Sequence, residues 1–125
     1  MKFKTTILFL AALFMAACST SATEQPPTLT PQQLQGQSVF NLRCAQCHAT
    51  VPDTVVVGPS LYGIATRAAA RVKGYDAEAY IERSILVPTD YIVEGFSDVS
   101  MPTNFGKELT SEELDAVVSY LMTFK

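Results

Sequence analysis

The chain has 125 residues and a formal net charge of −3 at neutral pH, which suits one small domain and excludes a multidomain enzyme. It contains one histidine, three cysteines and no tryptophan, so sites that need two imidazoles are excluded. Loss of the N-terminal segment considered next would remove Lys2 and Lys4 and take the charge from −3 to −5. This acidic balance argues against a basic nucleic-acid-binding surface. We expect protein partners and no nucleic acid.

Residues 1–17 have the order of a secretory signal peptide: two lysines, then an apolar run that ends in small residues. The run from Ile7 to Ala17 has eleven residues, whereas a membrane-spanning helix needs about 20. We therefore expect residues 1–17 to be removed on export, which leaves 108 residues (125 minus 17). The mature chain is expected in the periplasm or elsewhere outside the cytoplasmic membrane.

The segment Met15-Ala16-Ala17-Cys18 resembles the lipobox of bacterial lipoproteins, in which the cysteine is acylated and becomes the new N-terminus. That resemblance implies a lipid anchor at Cys18, with palmitate as one possible chain. The alternative is cleavage elsewhere, which would leave Cys18 as a free thiol. Residues 18–29 are rich in Ser, Thr and Pro with almost nothing to bury, so they predict a flexible tether before a domain at residues 30–125.

Four helical segments are predicted in the domain. Thr30 and Pro31 begin the first, which ends near the cysteines and places Leu34, Gln37, Phe40 and Asn41 on one side. A short helical turn is predicted at 60–65, and a longer helix over 76–86 with Pro88 after its end. The last helix follows a capping box that begins at Thr110. Its apolar stripe comprises Leu114, Val117, Val118 and Leu121.

No run of alternating polar and apolar residues predicts a sheet, so the fold class is all-α with long loops. Three or four short helices bury little apolar surface by themselves. A bulky apolar cofactor at the centre would complete such a core.

The strongest motif is Cys44-Ala45-Gln46-Cys47-His48. In the Cys-x-x-Cys-His pattern, two thiols add to the vinyl groups of a haem and the histidine brings its imidazole to the iron. A thioredoxin-like redox pair would follow a strand, but the preceding residues predict a helix. A structural zinc site needs four ligands, and only Cys44, Cys47 and His48 are near one another in sequence. The motif predicts one covalently attached haem c.

Together with this motif, the segment Gly58-Pro59-Ser60-Leu61-Tyr62-Gly63 resembles the Gly-Pro-x-Leu-x-Gly segment of class I cytochromes c. The resemblance runs from about Leu34 to Tyr120 and implies the cytochrome c fold. It also implies that the Pro59 carbonyl accepts the imidazole proton, that Leu61 presses on the haem and that Arg67 pairs with a haem propionate. A surface arginine without that role is the alternative for Arg67. Tyr75 falls near a family tyrosine that also reaches a propionate.

The stretch over 91–106 resembles the family's loop that carries the sixth iron ligand, and this implies that Met101 is the second axial ligand beside His48. Elimination agrees, because Met1 and Met15 leave with the signal peptide and Met122 belongs to the last helix. Gly36 and Phe40, with Tyr120 and Leu121, resemble the family's contact between terminal helices and are expected to act in packing.

With both axial positions filled and no other constellation of catalytic groups in the sequence, we expect a monomeric one-electron carrier and not an enzyme. Its expected partners are donor and acceptor proteins of respiratory or photosynthetic membranes. Two alternatives remain open: a fixed haem subunit of a particular dehydrogenase or reductase, and a haem sensor or peroxidase-like protein in which Met101 is labile.

Overall fold

The computed structural model describes residues 28–125. The predicted signal peptide, Cys18 and most of the predicted tether lie outside the described residues. Within 28–125 the chain forms helices and loops, with a single isolated bridge between His48 and Val55 and no strand. This confirms the all-α class. The helices are α1 (Pro31–Arg43), α2 (Ile64–Arg67), a 3₁₀ turn (Ala68–Ala70), α3 (Ala77–Leu86), α4 (Phe105–Glu108) and α5 (Ser111–Leu121).

Capping boxes begin the first and the last helix. At α1, the Thr30 hydroxyl accepts from the Gln33 amide at 3.2 Å and the Gln33 side chain accepts from the Thr30 amide at 2.9 Å. Thr110 and Glu113 make the same two bonds at 3.2 and 2.9 Å ahead of α5. Each box satisfies amide groups that have no partner inside the helix. The predicted starts of both helices are confirmed.

Helices α1 and α5 cross at Gly36. A Cβ placed on Gly36 would lie 1.9 Å from the carbonyl oxygen of Ala116, so only a residue without a side chain allows the two backbones to approach this closely. Beside the crossing, the Phe40 and Tyr120 rings lie 5.7 Å apart between centroids. The predicted contact between the terminal helices is confirmed.

Two details of the predicted helices were wrong. Leu34, expected on the same side as Phe40, is 51% exposed, because α1 packs through Gly36 and two residues of helix turn Leu34 by about 200° from it. The buried residues of α1 are Gly36, Val39 and Phe40. The short helix predicted at 60–65 begins later, at Ile64, after Gly63 in a left-handed conformation at φ 64°. Helix α4 was not predicted.

Helix α3 positions one wall of the site. Asp76 caps its N-terminus by accepting from the Ala79 amide at 2.8 Å, and Tyr80, Ile81 and Ile85 are buried. These residues join the core formed by α1 and α5, while the chain between α1 and α2 lies opposite as irregular loop.

Among residues 28–125, no helix combines the length and apolarity that crossing a bilayer requires.

Candidate haem site

A cavity of about 410 Å³ opens between the Cys44–His48 turn, helix α3 and the loop after α3. Its volume falls in the usual range for small-molecule and cofactor sites. Most of the lining is apolar, supplied by residues such as Ile64, Ile81, Ile85, Phe96, Phe105 and Leu121. Seven predicted site residues line it together: Cys44, Cys47, His48, Pro59, Leu61, Arg67 and Met101.

The end of α1 places both cysteines and the histidine. Cys44 is the C-terminal cap of α1, with its amide donating to the Phe40 carbonyl at 2.8 Å. The amides of Cys47 and His48 both donate to the Cys44 carbonyl at 3.0 Å, so the motif forms a tight turn at the cavity wall. Burial and, secondarily, the charge of Cys47 raise the pKa of the Cys44 thiol to about 11. Cys44 therefore carries its proton at neutral pH in the unmodified chain.

His48 has one defined tautomer. Its Nδ1 lies 2.8 Å from the Pro59 carbonyl oxygen, and a carbonyl oxygen can only accept. Nδ1 is therefore protonated, and Nε2 retains the lone pair with which a neutral imidazole binds a metal. The resemblance to class I cytochromes c implied this hydrogen bond.

The segment around Pro59 is tied to the motif by its backbone. The amides of Val57 and Gly58 donate to the Cys47 carbonyl at 3.1 and 2.9 Å, and the Leu61 amide donates to the Ala49 carbonyl at 2.8 Å. These bonds lie on both sides of Pro59 in sequence, so they fix the carbonyl that orients His48.

Arg67 holds the same segment from the other side. Its guanidinium donates to the backbone carbonyls of Ser60 and Tyr62. Partial burial and the nearby charge of Arg71 lower the pKa of Arg67 from its ordinary value. Arg67 thus lines the cavity, as predicted, with donors engaged by its own loop.

Met101 lies in the loop between α3 and α4, where it is half-buried and lines the cavity. Met122, the other methionine among residues 28–125, follows α5 and does not line this cavity. The structure therefore places a thioether in the same cavity as the His48 imidazole.

Tyr75 does not line the cavity; it packs against the hydrophobic core half-buried. The cavity instead contains Tyr80, which is 5% exposed and was not a predicted site residue. Arg71, a second arginine on the cavity wall, was also absent from the predicted site. Its four-residue spacing from Arg67 was the available signal, because residues four apart in a helical stretch lie on one side.

The lining fits a covalently attached haem. It offers two thiols in the required spacing, an imidazole in the metal-binding tautomer and a thioether, within largely apolar walls. Arg71 adds a buried Nε with no hydrogen-bond partner among the described residues, which is a donor suited to an anionic group of the cofactor.

The chain is similar to known proteins. The chain is 27% identical over 124 residues to cytochrome c6 of Rippkaea orientalis, a match that covers 98% of this chain and 93% of that protein. It is 38% identical over 45 residues to cytochrome c 2.1 of Caenorhabditis briggsae, which covers 36% of this chain and 40% of that protein.

Among solved structures, an engineered cytochrome c from Rhodothermus marinus is similar, with 23% identity, a TM-score of 0.48 and coverage of 79% of this chain and 86% of that one. The form of that protein bound to a carbene intermediate has 22% identity, a TM-score of 0.47 and the same coverage. A family model described as Cytochrome c matches residues 33–125. The chain therefore belongs to the cytochrome c family, whose members bind one covalently attached haem c and exchange electrons with redox partner proteins.

Proposed function

We propose that this protein is a lipid-anchored one-electron carrier that passes electrons between complexes of a respiratory or photosynthetic membrane. The haem iron supplies the one-electron Fe(III)/Fe(II) couple. Cys44 and Cys47 would hold the haem through thioether bonds, and His48 and Met101 would bind its iron.

The hydrogen bond from His48 Nδ1 to the Pro59 carbonyl, at 2.8 Å, is the observation that carries this proposal. It leaves Nε2 as the only ring nitrogen able to bind iron, and it restrains rotation of the ring. A partner of this kind also raises the basicity of the ligating nitrogen. The polypeptide itself therefore holds His48 in the tautomer that can bind iron.

Met101 supplies the second argument. A thioether is a soft ligand that favours ferrous over ferric iron, and Met/His ligation raises the reduction potential of a cytochrome. If His48 and Met101 both bind the iron, oxygen or peroxide would have to displace Met101 before it could bind. This favours a carrier over a sensor or a peroxidase-like protein.

The anchor is proposed from the sequence, since Cys18 lies outside the described residues. The Met15-Ala16-Ala17-Cys18 segment supports acylation of Cys18. The composition of residues 19–29 predicts a linker, and a coil-like chain of that length would reach about 20 Å. Such a tether would let the domain swing between donor and acceptor proteins in one membrane while its concentration near them stays high.

The first experiment is an optical redox titration of the purified holoprotein and of Met101→Ala, with Met122→Ala as the matched control. Met122 is also a half-buried methionine but does not line the cavity. We expect the wild type to have a clearly positive midpoint reduction potential. This potential should fall steeply in Met101→Ala and hardly change in Met122→Ala. A low midpoint that is indifferent to Met101 would overturn the assignment of the ligand.

Carbon monoxide tests the same assignment from the other side. The reduced wild-type protein should not bind carbon monoxide at neutral pH, whereas reduced Met101→Ala should bind it because one axial position is open. Uptake by the wild type would move the sensor or peroxidase-like alternative to the front.

The anchor is tested with Cys18→Ser. Wild type should incorporate labelled palmitate and partition into a detergent phase, and Cys18→Ser should do neither. After enzymatic delipidation, a carrier should leave washed membranes alone in mild salt. Retention in one stable complex would indicate a fixed subunit of that complex instead.

A further inference from the structure

Two guanidinium groups lie at the wall of the haem cavity without a carboxylate partner. The cavity lining contains Arg43, Arg67, Arg71 and Glu108 as its charged residues. Arg43 and Glu108 form an ion pair with each other at 3.3 Å. Within residues 28–125, neither Arg67 nor Arg71 has an acidic side chain in salt-bridge distance. Two neighbouring positive charges at an apolar cavity favour the binding of an anionic group there.

The two arginines differ in what their side chains already bind. Arg67 donates from both terminal nitrogens, one to the Tyr62 carbonyl and the other to the Ser60 carbonyl. Those bonds brace the segment that contains Pro59. Both terminal nitrogens of Arg67 are therefore engaged by backbone oxygens of its own loop.

Arg71 is the arginine that remains to be satisfied. It follows the 3₁₀ turn, where its amide donates to the Ala68 carbonyl at 3.0 Å. Its Nε is buried, and it is the only buried side-chain nitrogen or oxygen in the described part of the chain that has no hydrogen-bond partner. A buried donor without a partner costs about 1–3 kcal/mol, and more on a charged group. A carboxylate is the acceptor that best fits a guanidinium edge that includes Nε.

We infer that Arg71 binds a carboxylate of the haem propionates, while Arg67 acts as a positioning residue for the Pro59 segment. This division departs from the family resemblance, which assigned the propionate to Arg67. It rests on the covalently bound haem and on the contacts of these two arginines. It does not depend on the partners proposed above.

The test compares Arg71→Gln, Arg71→Lys and the control Lys73→Gln in holoprotein whose haem carboxylates carry an isotope label. Lys73 is exposed, lies two residues away and does not line the cavity, so its substitution removes an equal charge from the surface. The deciding readout is the labelled carboxylate band in infrared difference spectra between the two redox states. The second readout is the ratio of oxidised to reduced protein at one fixed ambient potential.

We expect Arg71→Gln to shift the labelled band and to raise the oxidised-to-reduced ratio on the order of tenfold, because a charge in a poorly screened site is lost. Arg71→Lys should change the oxidised-to-reduced ratio little, because the positive charge is kept. It should still shift the labelled carboxylate band, because an ammonium group cannot make the paired hydrogen bonds of a planar guanidinium. Lys73→Gln should leave the band in place. If Arg71→Gln does not form holoprotein, the labelled carboxylate band of Arg71→Lys becomes the deciding readout.

An unshifted band in the Arg71 variants would overturn the inference, even with a changed ratio, because Arg71 would then act through its charge alone. A redox titration of the same variants keeps this result separate from the proposed function. A low reduction potential in the wild type would contradict the proposed electron carrier. An unshifted carboxylate band in the Arg71 variants would contradict only the role of Arg71.

Discussion

The imidazole of His48 packs directly on the backbone of Gly58. A Cβ at Gly58 would stand 2.5 Å from His48 Cε1, 3.0 Å from Nδ1 and 3.1 Å from Nε2. Gly58 is itself buried, and its amide is tied to the Cys47 carbonyl at 2.9 Å. The ring cannot move away without breaking its hydrogen bond to Pro59, and the backbone cannot move away without breaking the bond from Gly58 to Cys47. A glycine at position 58 is therefore required for this position of the His48 ring.

Gly58→Ala should therefore displace the His48 ring and strain its bond to Pro59. Forcing a methyl group into a packed site typically costs about 1–3 kcal/mol. We expect the free energy of unfolding of the holoprotein to fall by that amount, measured by guanidinium denaturation at fixed pH. The reduction potential should change as well, because the substitution acts on His48, the proposed iron ligand.

Gly106→Ala is the matched control for Gly58→Ala. A Cβ at Gly106 would meet only the end of the Leu86 side chain, at 3.4 Å, and Gly106 lies in helix α4, where alanine is favoured. Its stability and potential should stay close to wild type. Equal effects of the two substitutions would show that the contact between Gly58 and His48 is not the cause.

Gly36→Ala tests the crossing of α1 and α5. The new Cβ would lie 1.9 Å from the Ala116 carbonyl oxygen and 2.8 Å from Tyr120 Cβ, and a helix backbone cannot yield as a flexible side chain does. We expect a loss of about 3 kcal/mol or more in the free energy of unfolding, with a reduced yield of holoprotein. A loss no larger than that of Gly106→Ala would contradict this account.

The parts of the molecule that sequence predicted best are those with local causes. The capping box at Thr110 uses only its own first turn, and the Cys44–His48 turn closes on itself through the Cys44 carbonyl. The capping box was predicted at the correct residues because no distant contact is needed to form it.

The parts that sequence missed depend on which side of a helix the rest of the chain covers. Leu34 was placed on one side of α1 with Phe40, but α1 contacts α5 through Gly36 and leaves Leu34 exposed. Tyr75 was chosen by its place in the chain, whereas α3 carries Tyr80 into the cavity. The spacing of Arg71 from Arg67 indicates only a shared side of the helical stretch, whereas the burial of its Nε depends on elements distant in sequence.

Thr110→Ala should remove the hydroxyl that accepts from the Glu113 amide at 3.2 Å. Loss of an N-cap costs about 1 kcal/mol, and we expect that decrease in the free energy of unfolding of the holoprotein. Thr103→Ala is the control, because Thr103 is exposed and precedes α4 without capping it. The potential should be the same in both variants, since neither residue lines the cavity. A stability change shared by the two would exclude the cap as the cause.

Arg67→Lys separates bracing from charge. Lysine keeps the positive charge at the cavity but cannot span the Ser60 and Tyr62 carbonyls with a planar fork. Because hydrogen bonds from charged donors contribute about 1.5–3 kcal/mol each, we expect the free energy of unfolding to fall by about 2 kcal/mol. The reduction potential should fall little, in contrast to Arg71→Gln. Arg83→Lys is the control: Arg83 forms an exposed ion pair with Asp90 at 2.6 Å, and exposed pairs contribute little to stability. If Arg67→Lys leaves the stability unchanged and shifts the labelled carboxylate band, Arg67 binds the propionate and the bracing role is wrong.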